Sequence, residues 1–401
     1  MKILILNHAF YPDVVSTAQH AADLAVALAD AGHEVTVICN RRGYDDPTRV
    51  FPSQENWKNI RIIRVRSTGL GKSSKWRRAI DFATFITSCS ARMLFLPCFD
   101  VIVALTSPPL ISFIAALAIP RKARRLVFWS MDLNPDEAIA AGWLRENSRS
   151  ARLLSSMLFY SLRRADRVVA LDRFMKERIR AKNIDEAKIS VVPPWSDDEH
   201  VFLDERGRKE FRAQHHLSEK FVVMYSGNHS PCHPLDTLMD AADRLADHTD
   251  IVFCFVGGGS EFQKVKDRAR AQGMNNVLCL PYQPLDKLSA SLSAADLHVV
   301  VMGNKFVGIV HPCKIYNILT VGKPFLYIGP QYSHISDIIE EHPNMKLGYS
   351  SEHGDVDALV ARILAAKADG GSTQSLSIAD RFSKKTLVPR MVSAIDGSNP
   401  A

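Results

Sequence analysis

Val307-Gly-Ile-Val-His-Pro-Cys-Lys-Ile-Tyr-Asn-Ile-Leu-Thr-Val-Gly-Lys-Pro324 reads as a loop that opens a short helix. Pro312 suits the first helical turn, where a missing N–H costs nothing, and Gly322 suits the position just past the helix end. Pro324 forbids continuation, and Phe325-Leu-Tyr-Ile328 follows as a short buried strand. A helix start carries unpaired N–H groups and a positive dipole end, so the stretch is a candidate phosphate site. Lys314 in its first turn and His311 just before it add to that expectation.

Outward from this stretch, short apolar strands alternate with helices. In the first half, Lys2–Leu6, Glu34–Cys39, Ile60–Val65, Val101–Leu105, Leu126–Ser130 and Arg167–Leu171 read as strands. The segments Thr17–Ala31 (with Ser16 as N-cap and Gly32 beyond its end), Trp76–Leu96, Leu110–Ile119 and Ser148–Arg164 read as helices. Tyr44–Trp57 is polar and reads as an exposed loop. The pattern breaks at Pro193-Pro194-Trp195 and then restarts. There, strands at Phe221–Tyr225, Ile251–Val256, Val277–Leu280 and Leu297–Val301 alternate with helices at Leu235–Leu245, Glu261–Gln272 and Leu285–Ala295. Such alternation predicts an α/β protein with parallel sheets covered on both faces. The expected division is residues 1–195 and 200–375, two tandem doubly wound, Rossmann-like domains facing a cleft. A last helix at 378–396, after a Gly-Gly-Ser linker, is expected to pack back on the first domain.

At 401 residues the chain is too long for one ordinary core. Its 23% charged and 46% hydrophobic residues exclude a disordered chain. The net charge of +7 is uneven: Lys58 to Arg92 holds nine basic residues against Asp81 alone, and Arg121-Lys-Ala-Arg-Arg125 adds a second cluster. An anionic partner and a solvated basic face both fit these clusters. Seven scattered cysteines without a Cys-x-x-Cys pair suggest a reducing compartment, and the short apolar N-terminus does not read as a signal peptide. Val101–Pro120 has the length of a membrane span, but Pro108-Pro109 splits it into a strand, a turn and a buried helix.

Three loops of the second half are expected at one sheet edge. In Tyr225-Ser-Gly-Asn-His-Ser-Pro-Cys-His-Pro234, Gly227 allows close backbone approach, and His229 and His233 are candidate donors to phosphate oxygens. Gly257-Gly-Gly-Ser-Glu261 invites a dinucleotide reading, but its spacing and its place after a second strand do not fit that fingerprint. The third loop is His311-Pro-Cys-Lys314. His229, Cys232, His233, His311 and Cys313 also admit a zinc reading, yet their spacing is unlike that of finger ligands, and no metal is assigned. In the first half, Trp129-Ser-Met-Asp132-Leu-Asn-Pro-Asp-Glu137 follows a strand. Asp132 is a candidate to orient a sugar hydroxyl or take a proton, with Glu137 beside it; the alternatives are a turn for Asp132 and a helix start for Asp136 and Glu137. No covalent nucleophile arrangement stands out, which suits a reaction run by positioning and electrostatics.

The chain resembles the retaining GT-B nucleotide-sugar glycosyltransferases of glycosyltransferase family 4, especially the branch that builds O-antigen and colanic-acid-type exopolysaccharides. The resemblance rests on Phe10-Tyr-Pro-Asp13, Gly32-His-Glu-Val-Thr-Val37, Met131-Asp-Leu-Asn-Pro-Asp136, Val192-Pro-Pro-Trp195, Tyr225-Ser-Gly-Asn228, Phe255-Val-Gly-Gly-Gly259, Ala294-Ala-Asp296, Pro312-Cys-Lys314 and Gly322-Lys-Pro324. The chain departs from the family pattern in three places. His229–His233 stand for the usual Arg and Lys, Ile309 and Asn317 for the paired glutamates, and Val14–Thr17 for the usual Gly-Gly. The branch with Pro-Ser-Lys fits better, with Cys313 in the Ser position.

The resemblance implies transfer of a hexose-type sugar from a UDP- or GDP-sugar to a glycan or a polyprenyl-diphosphate-linked acceptor, with retention and without a metal or other cofactor. It implies donor contacts from Ser16, Thr17, Gly227, Asn228, His229, His233, Gly258, Glu261, His311, Lys314 and Asn317, and catalytic roles for Asp132 and Glu137. It implies a cytoplasmic protein, peripheral on the inner face of the membrane, with the basic, aromatic helix from Trp76 (Phe82, Phe85, Phe95) at an anionic surface and no nucleic-acid partner. A core helix with a basic first turn is the other reading of that segment. A degenerate protein that binds nucleotide or glycan without turnover, and a GT-B sugar-nucleotide epimerase, remain as alternatives.

Overall fold

The computed structural model describes residues 1–71, 75–119, 121–341, 348–370 and 377–398. Gly371 and Ser372 of the Gly-Gly-Ser linker and Lys72 of the basic cluster fall outside these residues. The chain divides into two compact units: Met1–Pro194 with Gly308–His311 and Lys385–Ala401, and Trp195–Val307 with Pro312–Lys384.

The first unit runs β1 (Lys2–Leu6), α1 (Ser16–Asp30), β2 (Glu34–Asn40), β3 (Gln54–Trp57), β4 (Ile60–Val65), α2 (Lys75–Leu94), β5 (Phe99–Ala104), α3 (Ile111–Ala118), β6 (Ala123–Trp129), α4 (Asp136–Ala140), α5 (Arg149–Arg164), β7 (Arg167–Ala170), α6 (Arg173–Ala181) and β8 (Ile189–Val191). Its sheet has the order β3-β4-β2-β1-β5-β6-β7-β8. Every pairing is parallel except β3 with β4. Ile3, Leu4, Ile5 and Leu6 of β1 and Val101 to Ala104 of β5 are buried, because helices cover both faces of these central strands.

The second unit runs α7 (Glu205–Gln214), β9 (Phe221–Asn228), α8 (Asp236–Arg244), β10 (Ile251–Gly258), α9 (Phe262–Ala271), β11 (Val277–Leu280), α10 (Leu285–Ser293), β12 (Leu297–Val301), α11 (Lys314–Thr320), β13 (Phe325–Ile328), α12 (His334–Glu340), β14 (Gly348–Ser351), α13 (Val356–Ala368) and α14 (Ser377–Arg381). A last helix, α15 (Lys384–Asp396), belongs to the first unit from Lys385 on. The second sheet, β11-β10-β9-β12-β13-β14, is wholly parallel. Its core joins Tyr225, Phe253, Phe255, Leu297 and Val299 to Leu238 of α8 and Leu359 of α13. Asp296 ties α7 to the sheet, accepting from Arg208 at 2.6 Å, Arg212 at 3.0 Å and the Val222 N–H at 2.8 Å.

Several expectations need correction. Ser16 is the first residue of α1 rather than its cap; Val15 takes that place, and the Ser16 hydroxyl turns to His20 Nδ1 at 3.3 Å. The loop read across Tyr44–Trp57 ends in β3, an edge strand too polar to betray itself by alternation. Helices α6, α7, α12 and α13 and strands β8 and β14 escaped the sequence reading. The last helix is two helices, interrupted at Phe382 and Ser383. Arg64 of the basic stretch is no surface charge: it is 4% exposed, paired with Glu55 at 2.6 Å and donating to the Tyr11 carbonyl at 2.9 Å. On α2, Phe85 is core and Trp76 exposed, and Phe95, just past the helix end, is exposed too.

Candidate functional site

In the second unit the carboxyl ends of β9 and β10 meet the start of α11, as expected for ligand sites on open parallel sheets. The two strands close so tightly there that only glycine fits. Gly257 has φ +135°, and a Cβ on it would lie 2.1 Å from the Gly227 carbonyl oxygen. Helix α11 begins at Lys314, with Cys313 as its cap, not at Pro312. It is only seven residues long, so its dipole is weak and the lysine charge dominates.

Lys314 Nζ lies 3.5 Å from the centroid of the Tyr225 ring. The amine is sealed from solvent and has no hydrogen-bond acceptor among the described residues. Burial holds it well below the usual lysine range. A Cβ at Gly227 would come within 3.3 Å of it, so glycine leaves room beside the charge. The aromatic face offsets part of the desolvation cost, but no carboxylate does.

His229 and His233 stand near this amine, and neither serves as the free phosphate donor expected from sequence. His229 Nδ1 donates to the Gly227 carbonyl at 3.0 Å, and His233 Nδ1 donates to that of Val301 at 2.7 Å. Burial, then the neighbouring lysine charge, pushes their pKa values down to about 4 and about 3. A neutral imidazole has one N–H, and each ring has spent it on the backbone. The His229 backbone joins the neighbouring loop, its N–H donating to Gly258 at 2.7 Å while its carbonyl accepts from Glu261 at 3.1 Å. The Asn228 carbonyl accepts from the Tyr225 hydroxyl at 2.9 Å. Glu261 is ion-paired with Lys264 at 2.6 Å, and the Asn317 amide oxygen accepts from the Asp197 N–H at 3.1 Å. The structure thus brings Gly227, His229, His233 and Lys314 together and leaves Glu261 and Asn317 with other partners.

In the first unit, Asp132 follows β6 in a hollow lined by Thr106, Leu110, Ser112, Asn134 and Ser161. Burial first, then Glu137, raises its carboxyl above the ordinary carboxylate range, with Arg78 opposing. Glu137, in the first turn of α4, accepts from Asn134 Nδ2 at 2.9 Å. A carboxyl poised to stay protonated near neutral pH suits proton exchange with a sugar hydroxyl. Ser16 and Thr17 open α1 in this same unit. His311 also belongs to it, buried with Nδ1 donating to Asp172 Oδ2 at 2.7 Å. Sequence reasoning missed Tyr225 as the lysine's platform and Asp172 as the partner of His311.

Residues 17–195 match the family model described as a glycosyl transferase 4-like domain. Residues 207–384 match that of glycosyl transferases group 1. The chain is a GT-B glycosyltransferase. WcaI of Escherichia coli K12, provisionally named a colanic acid biosynthesis glycosyl transferase, is 26% identical over 91% of this chain and 92% of its own length. Sucrose-phosphate synthase of Thermosynechococcus elongatus shares the fold at a TM-score of 0.75 and 16% identity, over 98% of this chain and 97% of that one. HepE of Anabaena, solved with UDP-glucose, does so at a TM-score of 0.70 and 18% identity, over 98% of this chain and 100% of that one. In this glycosyltransferase, Lys314 lies on the domain that matches the group 1 model, and Asp132 lies on the 4-like domain.

Proposed function

We propose that the protein transfers a sugar from a nucleotide-sugar donor, UDP- or GDP-linked, to a glycan or lipid-linked acceptor with retention, in assembly of a cell-surface polysaccharide. The observation that carries this reading is the sealed Lys314 amine without an acceptor, beside Gly227 at the strand ends. A buried charge with no partner is costly, and a diphosphate supplies the missing oxygens. Lys314 then neutralises the donor diphosphate without a metal, while Asp132, with Glu137, orients the reacting hydroxyl or exchanges its proton. Gly227, Asn228 and Gly258 supply backbone approach. The UDP-glucose held by HepE supports a nucleotide-sugar donor. Acceptor chemistry follows the relative named for colanic acid biosynthesis.

Among the described residues no helix is long and apolar enough to cross a membrane. The reading places the enzyme peripherally on the cytoplasmic face, with exposed Trp76 at the start of the basic helix α2 and exposed Phe95 just past its end toward anionic lipid.

Titration calorimetry with UDP and GDP tests the donor site, with EDTA present in one arm. Binding of one nucleotide, unaffected by EDTA and lost in Lys314→Ala, is the expected result. No heat with either nucleotide, or unaltered binding in the variant, overturns it. A second reading, binding without turnover, draws on Ile309, a 3%-exposed residue where family members place a glutamate. Slow release of free sugar from the donor, followed by NMR, rules that reading out.

A further inference from the structure

The four residues Gly308–His311 belong to the first unit, although the chain on either side of them belongs to the second. Contacts within the first unit seat them. Gly308 has φ +67°, and a Cβ on it would fall 2.6 Å from the Phe174 carbonyl at the start of α6, so nothing larger fits. The Ile309 carbonyl accepts from the Leu133 N–H at 2.9 Å. His311 Nδ1 donates to Asp172 Oδ2 at 2.7 Å, with side-chain exposures of 1% and 6%.

Asp172 uses its two oxygens for different tasks. Oδ1 caps α6, accepting from the Met175 N–H at 2.7 Å. Capping needs no more than that: Asp204 and Asp355 each cap a helix through Oδ1 alone. Oδ2 is aimed instead at a ring 139 positions along the chain. Burying a carboxylate against an imidazole is a poor way to gain stability, since apolar pairs of similar volume do as well or better. Ile309 and Val310 are themselves buried and give the segment an apolar anchor of its own. What a directional 2.7 Å contact adds is orientation. The oriented backbone has one evident client: the Ile309 carbonyl under Leu133, the residue next to Asp132.

We infer that Asp172 and His311 are positioning residues for Asp132: their buried pair holds the Ile309 carbonyl in place under Leu133 and so fixes the loop that carries the carboxyl. The inference rests on the reading of Asp132 as the group that works on the reacting sugar. It also gives His311 a task other than touching the donor.

The test uses the full chain with His311→Val, which keeps the apolar character of the segment, and His311→Asn, whose amide reaches the place of Nδ1. Loosening the loop by about 1 Å is expected to lower kcat roughly 100-fold. The Kd of the nucleotide that binds wild type is expected to stay within about threefold in His311→Val, because Lys314 stands on its own strand ends. His311→Asn restores most of kcat. Hydrogen exchange at 131–135 and 308–311, read on the same proteins, needs no turnover and is expected to quicken in His311→Val only. Wild-type kcat in His311→Val, unchanged exchange, or a nucleotide Kd that weakens in step with kcat each overturns the inference. A His311→Val chain that does not fold overturns it too, since the pair is then structural. If wild type turns over no sugar nucleotide, the glycosyl-transfer reading fails instead, and the exchange result alone decides whether the pair seats the loop.

Discussion

The two candidate sites bury opposite charges in opposite ways. Around Lys314 a cation is sealed on a tyrosine face with neutral histidines for neighbours and, among the described residues, no counter-charge. Around Asp132 a half-buried carboxyl is desolvated beside Glu137, and its pKa is raised against the opposing charge of Arg78. The first arrangement lowers its cost by binding an anion, and the second by keeping a proton. On the proposed reading the difference separates the roles: the lysine site takes a charged ligand, and the carboxyl site a hydroxyl with which to trade a proton.

That contrast is sharpest in the response to substitution. Asp132→Asn keeps size and hydrogen bonding but cannot exchange the proton, and is expected to lower turnover by about 10²–10⁴-fold with nucleotide affinity unchanged. Steady-state kinetics beside calorimetry read both quantities; a matching fall in affinity would break the division of labour. Lys314→Ala is expected to do the reverse, weakening nucleotide binding by roughly 100-fold, about 3 kcal/mol, by calorimetry.

Lys314→Met should stabilise the nucleotide-free protein by about 1–3 kcal/mol in thermal melts, because an unpaired buried ammonium is replaced by an apolar chain. An unchanged or lower melting temperature would mean the amine already has a compensating partner. The pH dependence follows from the same burial. In the folded, unliganded protein the lysine gives up its proton below its usual 10.5, whereas on the proposed reading a diphosphate binds the ammonium. Nucleotide affinity therefore falls as pH rises through the lowered value, and Lys314→Ala flattens that profile. With the unfolded chain holding the proton longer, stability without ligand rises with pH over the same window.

His229 and His233 act at the acid end. Their folded pKa values of about 4 and about 3 lie below the ordinary 6.5, so stability is lost as pH falls from about 6.5 toward those values. Each contributes a slope of at most about 1.4 kcal/mol per pH unit, visible in acid denaturation and reduced in His233→Asn. The smallest change tests the backbone: Gly227→Ala, at φ +126° with a Cβ 3.3 Å from the lysine amine, should cost about 1–3 kcal/mol in thermal melts.

Much of this was legible from local pattern. Strand–helix alternation needs only the periodicity of neighbouring residues, so the two parallel-sheet units, the Asp132 loop after a strand and the Lys314 turn before a helix were all visible in order. The amphipathic faces of α6, α7, α12 and α13 lay between segments read as linker or loop, and β3 is too polar to alternate. Local pattern also misled where charge was counted without partners, as at Arg64, and where histidines were read as free donors.

What the sequence determined by itself is what a few adjacent residues decide: where the chain turns, where it extends, and which types stand at the turns. Which of those residues meet was decided only by the tertiary structure. The Lys314 amine and the Tyr225 ring, or His311 and Asp172, come from segments far apart in the chain, and no local propensity records such a meeting. Packing of the sheets and helices creates it, along with the burial that shifts the lysine and the carboxyl from their ordinary states.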